Sequence, residues 1–205
     1  MRKLQDNEVL IHPHDHKNLK DWQRIFRFLD ENLDYKEMNG FLELGAGTGN
    51  LSRFILKKNP VCQTVCEDIN QDYLKTIQEK EPRIQTLFHD INQPLPFKAN
   101  SFDLVACIGT LHYFCAKDPE KVLAEMIRVS KEYLLVDFFS ASSPYVFLEK
   151  MLYPKFSPRR YNSSQVNNLL KKYNLKKIDR IGTRIPFPKI LPFSGKLVIF
   201  LLKKQ

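Results

Sequence analysis

The sequence predicts a doubly wound α/β fold, in which a mostly parallel sheet of seven strands with an antiparallel last strand is covered by helices on both faces. Three observations predict it. Apolar strand-like segments alternate with helical periodicity between residues 40 and 140. A glycine-rich turn follows the first strand, and the last two strands have no helix between them, which indicates an antiparallel arrangement. With 205 residues and 43% hydrophobic content, we expect a single domain.

The elements follow one another in a regular order along the chain. Apolar residues at helical spacing between Leu19 and Leu33 predict an amphipathic helix ahead of the first strand. Strands are predicted at Gly40–Leu44, Val61–Glu67, Arg83–His89, Ser101–Ile108, Glu132–Phe138, Lys177–Arg184 and Lys196–Leu202. Asp118 and Pro119 predict the start of a further helix, because Asp caps a helix and Pro fits its first turn. We expect a helical cap at 1–39, a core at 40–140, and substrate-side helices with the last two strands at 141–205.

The charge of the chain is unevenly distributed. The net charge is +9, yet residues 150–205 hold 14 Lys and Arg against one acid, Asp179, while the preceding part holds 18 basic and 22 acidic residues. This asymmetry favours contact between the C-terminal segment and an anionic surface, such as membrane headgroups, an acidic carrier protein or RNA. An ordinary solvated, lysine-rich surface is an equally open interpretation.

The sequence also limits the compartment and the metal chemistry. Four cysteines lie in or beside predicted strands without a Cys-x-x-Cys pair, and no apolar run is long enough to span a bilayer. We therefore expect a reduced, cytoplasmic protein, or one peripheral at a membrane, with no transmembrane segment. The run from His12 to His16 falls one residue short of an H-x-H-x-D-H metal pattern, and we expect no bound metal.

The turn after the first strand is the most informative feature. Glu43-Leu44-Gly45-Ala46-Gly47-Thr48-Gly49 has the spacing G-x-G-x-G, whereas NAD and FAD enzymes carry G-x-G-x-x-G. Glycine tolerates positive φ and has no Cβ, so backbone N–H groups at a helix N-terminus can approach a small polar ligand closely. The spacing favours a ligand other than NAD.

Four further segments follow in a fixed order: Asp68-Ile69-Asn70, His89-Asp90-Ile91, Leu95-Pro96-Phe97 with Ser101-Phe102-Asp103, and Leu111-His112-Tyr113 with Glu125-Met126-Ile127-Arg128. With the glycine turn, they make the chain resemble the class I S-adenosylmethionine (SAM)-dependent methyltransferases, which have a Rossmann-like fold. The resemblance is to the methyltransferase type 11 group, which includes small-molecule and quinone-biosynthesis enzymes. One departure is the sequence Ser130–Tyr133, where the family usually has a glycine turn.

The resemblance implies SAM as the cofactor and S-adenosylhomocysteine as the product. It assigns cofactor binding to these residues: Glu43, Gly45, Ala46, Gly47, Asp68, Ile69, Asp90, Ile91, Ile108 and Gly109. Asp68 takes the place of the acid that accepts bonds from both ribose hydroxyls, although Glu67 is a competing candidate. Asp90 and the Ile91 backbone take the place that binds adenine, with a simple Asx-turn as the alternative for Asp90.

The remaining assignments concern the ammonium group and the acceptor. Glu43 and the carbonyls of Ile108 and Gly109 are implied near the cofactor's ammonium group. His112 is the candidate general base for an acceptor hydroxyl or acidic carbon, with Tyr113, Tyr145 and Asp137 as weaker candidates; a shape-filling or substrate-contacting role is the alternative for His112. The aromatic and basic residues between Pro144 and Arg160 favour a small-molecule or lipid-like acceptor, if they are not ordinary core and surface.

Two other functions stay open at this point. The basic C-terminal segment is compatible with RNA as the methyl acceptor. A SAM-binding partner subunit without turnover of its own is the other alternative, although nothing in the sequence favours it.

Overall fold

The computed structural model describes residues 19–111, 118–142, 159–182 and 197–205. These residues form five α-helices: α1 (Leu19–Asn32), α2 (Asn50–Lys58), α3 (Gln71–Lys80), α4 (Pro119–Val129) and α5 (Ser163–Lys172). They form eight strands: β1 (Gly40–Leu44), β2 (Gln63–Asp68), β3 (Gln85–Phe88), β4 (Phe102–Cys107), β5 (Ser130–Ser140), β6 (Arg160–Tyr161), β7 (Leu175–Gly182) and β8 (Leu197–Lys204).

All eight strands belong to one sheet, whose order is β3-β2-β1-β4-β5-β8-β7, with the short β6 paired to β5. The pairs are parallel except for those of β8, which runs antiparallel to both β5 and β7. The predicted Rossmann-like fold is therefore confirmed. The strand order reverses between β1 and β4, and ligands of such sheets bind beyond the carboxyl ends of the strands at this point.

Helices cover both faces of the sheet and enclose its apolar core. On one face, α1 and α2 bury Phe26 and Ile55 against the strands. On the other face, α4 and α5 bury Met126 and Leu170 in the same way. Helix α3 covers the outer part of the sheet near β2, where Ile77 is fully buried. This burial holds the parallel strands rigidly, so the loops at their carboxyl ends start from fixed positions.

Helix α1 packs over the sheet and reaches its far edge. The ring of Phe26 stacks on that of Phe54 in α2, with 4.2 Å between the centroids. At the end of α1, the Asn32 side chain donates to Asp179 of β7 over 3.4 Å. That residues 1–39 form a helical cap stays a prediction, since residues 1–18 lie outside the described part of the chain.

The order of the predicted strands is confirmed, but several of their boundaries were wrong by up to two residues. The second strand was predicted from Val61, yet Val61 is 85% exposed and its N–H donates to Asn59 Oδ1 over 3.2 Å. An Asn side chain that accepts a bond two residues on forms a turn, so the strand starts only after it. The two-residue strand β6 is an addition that the sequence did not predict.

The departure at Ser130 has a structural explanation. Helix α4 ends at Val129 and β5 begins at the next residue, with no intervening glycine turn. Instead, Lys204 at the end of β8 donates from Nζ to the carbonyls of Ile127, over 3.1 Å, and Ser130, over 3.0 Å. A lysine at a helix C-terminus satisfies carbonyls that lack a partner within the helix. A residue at the far end of the chain thus completes this junction.

Candidate functional site

The glycine turn lies beyond the carboxyl end of β1, between the ends of β2 and β4. Gly45, Gly47 and Gly49 all have left-handed backbones, with φ values of +60°, +54° and +70°. The turn is closed by the Gly49 N–H, which donates to the Ala46 carbonyl over 2.9 Å, and helix α2 begins at Asn50. Residues with a Cβ rarely adopt this conformation, so the backbone itself requires glycine.

Gly45 and Gly47 differ in what surrounds them. A Cβ at Gly45 would lie 2.2 Å from Thr110 Oγ1, so a side chain there collides with the segment after β4. A Cβ at Gly47 would meet no atom of the described residues within 4 Å. Gly45 is therefore required for packing, while Gly47 presents bare backbone to a space that none of the described residues fills. A ligand atom has room to approach the chain at Gly47.

The Asp68 carboxylate lies directly against the glycine turn. Its Oδ2 accepts the Gly47 N–H over 2.8 Å, and its Oδ1 accepts the Asn70 N–H over 2.8 Å. Asp68 is only 7% exposed, and burial raises its pKa above the usual value, opposed by these two backbone bonds. The structure thus brings the predicted ribose acid beside the open position at Gly47.

Glu67, the competing candidate, reaches the same turn at a different glycine. Its Oε2 accepts the Gly45 N–H over 3.1 Å, and the side chain is fully buried. Burial raises the pKa of Glu67 to about 8, with Asp68 and Asp90 adding to the rise and the Gly45 bond opposing it. The two neighbouring acids of β2 therefore contact different parts of one turn.

Asp90 follows β3 at the same end of the sheet. Its Oδ1 accepts bonds from the Asn92 N–H, over 2.9 Å, and from Asn92 Nδ2, over 2.8 Å, which together form an Asx-turn. These bonds lower the pKa of Asp90 below its usual value. Ile91 beside it is buried, whereas Ile69, after β2, is 46% exposed. The Asx-turn that the sequence left as an alternative does form, and its bonds to the described residues all use Oδ1.

Glu43 lies at the end of β1 and is held by the start of helix α2. Its Oε2 accepts bonds from the Ser52 N–H, over 3.0 Å, and from Ser52 Oγ, over 2.5 Å. Cys66 Sγ in turn donates to Ser52 Oγ over 2.9 Å. Burial raises the pKa of the Cys66 thiol well above its usual value, so this cysteine is an inert part of the core. Glu43 is therefore fixed between β1 and the first turn of α2.

The segment after β4 is the last part of the candidate site. Gly109 has a φ of +80°, and its N–H donates to Asp137 Oδ2 of β5 over 3.0 Å. Thr110 Oγ1 donates to the Gly45 carbonyl over 3.2 Å. Ile108 is buried beside them. The segment after β4 is thus tied both to the glycine turn and to the neighbouring strand.

Sequence reasoning missed several residues that hold the site together. Thr110 and Ser52 were not singled out, and Asp137 was considered only as a weak candidate base, whereas here it binds a backbone N–H. Arg53 of α2 donates to the Thr48 carbonyl over 2.5 Å and fixes the end of the turn. A usable signal existed for Thr110 alone, since it is a polar residue directly after a buried strand.

A second cluster, Glu125 and Arg128 of α4, fixes the loop before β4. Glu125 Oε2 accepts the Leu95 N–H over 2.8 Å and pairs with Arg128 over 2.7 Å. Arg128 donates to the carbonyls of Leu95, over 2.9 Å, and Phe97, over 2.7 Å. Two of the segments that carry the family resemblance are therefore a scaffold contact between helix and loop, away from the glycine turn.

Some predicted features lie outside the described residues: the candidate base His112, Tyr113, Tyr145, the run from His12 to His16, and the aromatic patch as far as residue 158. Within the described ranges, none of the helices is both long and apolar enough to cross a membrane. The same ranges contain no cluster of His, Cys, Asp or Glu side chains arranged to hold a metal ion.

A family model described as a methyltransferase domain matches residues 41–133. The part of the chain that carries the glycine turn and the acids at the ends of β1 and β2 is thus similar to a methyltransferase domain. Among curated proteins, it is 30% identical over 108 residues to an uncharacterized methyltransferase of Schizosaccharomyces pombe, a match that covers 53% of this chain and 41% of the yeast protein. The chain thus spans about two fifths of the length of that relative.

Solved methyltransferase structures have the same fold. Magnesium protoporphyrin IX methyltransferase of Synechocystis PCC 6803, with bound S-adenosylhomocysteine, superposes with a TM-score of 0.71 at 14% identity, covering 91% of this chain and 83% of that one. A SAM-dependent methyltransferase of Clostridium acetobutylicum superposes with a TM-score of 0.69 at 20% identity, covering 92% and 93%. At these identities the likeness shows the fold.

Proposed function

We propose that this protein is a SAM-dependent methyltransferase that acts on a small-molecule or lipid-like acceptor. The single observation that supports it best is the open backbone at Gly47, flanked by the buried carboxylate of Asp68. The open backbone and the acid lie where the strand order reverses, which is where ligands of such sheets bind. A ligand with an adenosyl group fits this arrangement, because the acid can accept hydrogen bonds from its ribose hydroxyls. The match of residues 41–133 to a methyltransferase domain and the fold shared with an S-adenosylhomocysteine-bound methyltransferase agree with this proposal.

The proposed roles of the binding residues follow from their positions. Asp68 binds the ribose, the turn from Gly45 through Ala46 to Gly47 receives the cofactor on its backbone, and Ile69 covers it from an exposed position. Asp90 binds the adenine amino group through the carboxylate oxygen not used by its Asx-turn, next to the Ile91 backbone.

The ammonium group would be bound at the ends of β1 and β4. Glu43 acts there through its buried carboxylate, which Ser52 holds in place, and Ile108 and Gly109 offer their carbonyls. The bond from Gly109 to Asp137 keeps this segment in its left-handed turn, so the carbonyl direction is set before a ligand arrives. Prior positioning of this kind reduces the entropy cost of binding.

The chemistry needs little from the protein beyond alignment. SAM, when bound, supplies a methyl group that a sulfonium makes strongly electrophilic. The chain holds the reacting groups at a fixed distance and angle and excludes water from them. His112, in the loop after β4, is proposed to accept the proton of an acceptor hydroxyl or acidic carbon. An acceptor that is already a strong nucleophile needs no such base.

The described part of the basic segment limits the RNA alternative. Lys172 pairs with Glu120 over 2.5 Å, Lys203 pairs with Glu132 over 2.7 Å, and Lys204 binds carbonyls at the end of α4. These lysines are engaged within the protein, so that among the described residues of the segment Arg159, Lys171, Lys176 and Lys177 remain as exposed cations outside these contacts. A smaller free charge favours a small or amphiphilic acceptor over a long polyanion.

Binding of the cofactor is tested by calorimetry with S-adenosylhomocysteine. Asp68→Ala removes the acceptor for ribose and for the Gly47 N–H, and we expect the affinity to fall at least about 100-fold, as loss of a charged bond and exposure of an unpaired donor imply. Asp72→Asn, on the exposed side of α3, is the matched control and should bind as the wild type does. Equal affinity in all three proteins would refute the assignment of the site.

The acceptor class is tested by radiolabelled methyl transfer from SAM. Lipid, metabolite, RNA and protein fractions are offered separately to the purified protein, and we expect label in the lipid or metabolite fraction. Label in RNA, with a rate that falls steeply as salt rises, would replace the proposed acceptor by RNA. Firm cofactor binding with no label in any fraction would instead support a partner subunit without turnover.

A further inference from the structure

Glu67 is a buried acid that the proposed chemistry does not use. It is fully buried at the carboxyl end of β2, and its Oε2 accepts the Gly45 N–H over 3.1 Å. Its other oxygen, Oε1, is also buried and has no hydrogen-bond partner among the residues that the structure describes. An ionised carboxylate with one bond and a buried, unsatisfied oxygen is costly, so the neutral acid is the form that this position accommodates.

The charged groups that act on Glu67 are carboxylates, whose negative charge opposes ionisation of Glu67. Asp68 and Asp90 both act on it electrostatically, and no described cation is among the groups that do so. The pKa of Glu67 is raised to about 8, chiefly by burial and also by the two acids, against the lowering effect of the Gly45 bond. At neutral pH the side chain therefore carries a proton in the folded protein.

Gly45, the partner of Glu67, is held on both of its backbone groups. Glu67 accepts its N–H, and Thr110 donates to its carbonyl over 3.2 Å. Gly45 also has a left-handed backbone packed tightly against Thr110. Since Gly47 follows two residues later in the same turn, the direction of the open Gly47 backbone depends on how firmly Gly45 is held.

We propose that Glu67 is a positioning residue that holds the Gly45 N–H as a neutral acid, and that ionisation of Glu67 loosens the turn that receives the cofactor. Ionisation places a third negative charge beside Asp68 and Asp90 in a buried position. The charge becomes hydrated only if water reaches the side chain, which separates it from Gly45. The effect on the turn is independent of any ligand; the effect on cofactor affinity rests on the proposed function.

The first test uses the cofactor-free protein and the variant Glu67→Gln, because a neutral amide mimics the protonated acid. The folded-state pKa of about 8 lies above the usual value of 4.5, so the stability that Glu67 contributes is complete below 4.5 and is lost as pH rises towards 8. We expect the melting temperature of the wild type to fall relative to that of Glu67→Gln across this range. Glu79→Gln, an exposed control on α3, should follow the wild type. Parallel curves for wild type and Glu67→Gln overturn the proposal.

The second test measures affinity for S-adenosylhomocysteine as a function of pH. Near pH 6.5 we expect Glu67→Gln to bind within about threefold of the wild type. Above pH 8 the wild type should lose up to about tenfold in affinity per pH unit relative to Glu67→Gln, since one proton is linked to binding. All other ionisable groups of the protein and of the ligand are the same in both proteins, so their titration cancels in this comparison. A loss above about tenfold in Glu67→Gln near pH 6.5 indicates a directly ligand-binding carboxylate and overturns the proposal.

A third measurement covers the case in which Glu67→Gln fails to fold. Infrared spectra of the wild type should contain the carbonyl stretch of a buried, protonated carboxyl group at pH 7, which disappears between about pH 7 and 9. Absence of such a titrating band overturns the proposal. The melting and infrared measurements involve no cofactor, so they decide the role of Glu67 even if the protein binds no S-adenosylhomocysteine.

Discussion

The two halves of the sheet use their buried polar groups in different ways. Strands β1, β2 and β4 end in buried acids and left-handed glycines that converge on one turn; the acids are Glu43, Glu67 and Asp68. Strands β5, β8 and β7 are mostly apolar inside, and six successive residues of β8 are buried without a charged side chain. Buried acids cost free energy, so three of them around one turn agree with the proposed cofactor site.

The polar contacts of the second half hold elements together. Asp137 of β5 belongs with the first half, because its buried carboxylate accepts the Gly109 N–H of the candidate site. In the second half, Lys204 joins the end of β8 to helix α4, and Lys203 pairs with Glu132 of β5. These contacts either close a junction or lie at the surface. Substitutions in the first half should therefore affect cofactor binding most, and those in the second half should affect stability alone or nothing. Three substitutions test this difference, in decreasing order of expected effect.

The largest effect is expected for Gly45→Ala. The new Cβ would lie 2.2 Å from Thr110 Oγ1 and 2.6 Å from Thr110 Cβ, in a backbone with a φ of +60°. Overpacking and left-handed strain together should lower the free energy of unfolding by about 2–5 kcal/mol, measured by chemical denaturation. The double variant with Thr110→Gly should recover part of this loss. No recovery would show that the collision with Thr110 is not the cause.

An intermediate effect, on stability alone, is expected for Arg128→Met. The variant removes two bonds to the loop carbonyls of Leu95 and Phe97 and the pair with Glu125. We expect unfolding to become about 1–3 kcal/mol easier, with affinity for S-adenosylhomocysteine within about threefold of the wild type. Lys121→Met on the same helix, whose side chain is 81% exposed, should change stability by less than about 0.5 kcal/mol. A large loss of affinity in Arg128→Met would contradict the expectation that only the first half of the sheet determines cofactor binding.

The smallest effect is expected for two lysines on β7, which is an edge strand of the sheet. Lys176 and Lys177 are exposed beside a register shift in the pairing of β7 with β8. Charges and irregularities on an edge strand prevent pairing with another chain. The double change to Glu should leave stability within about 0.5 kcal/mol and the protein monodisperse in light scattering, whereas the double change to Val should promote aggregation. Loss of a bound anionic partner in the Glu variant would instead assign these lysines to an interface.

Much of the first half was predictable because its signals are local. A strand followed by three glycines, and an acid at the end of the next strand, indicate a ligand turn without knowledge of distant contacts. The structure brings Gly47 and Asp68 together as that pattern implies. The antiparallel last pair was equally predictable, because no helix separates the two strands.

The features that the sequence did not predict depend on contacts between residues far apart in the chain. Thr110 meets Gly45 across 65 positions, and Lys204 completes the end of α4 from 74 positions beyond Ser130. Hydrophobic periodicity indicates local helices and strands, and it does not reveal contacts between residues so far apart. The neutral state of Glu67 depends on complete burial beside two acids, which only the folded chain produces. Element ends were displaced for a similar reason: the Asn59 side chain, and not the hydrophobic pattern, sets where β2 begins.

The most direct test of the account concerns the open position at Gly47. Gly47→Ala adds one methyl group that touches no described residue, in a backbone with a φ of +54°. Asn174→Ala is the matched control, because Asn174 has a φ of +51° at a distant helix end. Both should unfold about 1 kcal/mol more easily than the wild type. Calorimetry with S-adenosylhomocysteine should show at least about a tenfold loss of affinity in Gly47→Ala and none in Asn174→Ala, whereas wild-type affinity in both would contradict a ligand seated on the Gly47 backbone.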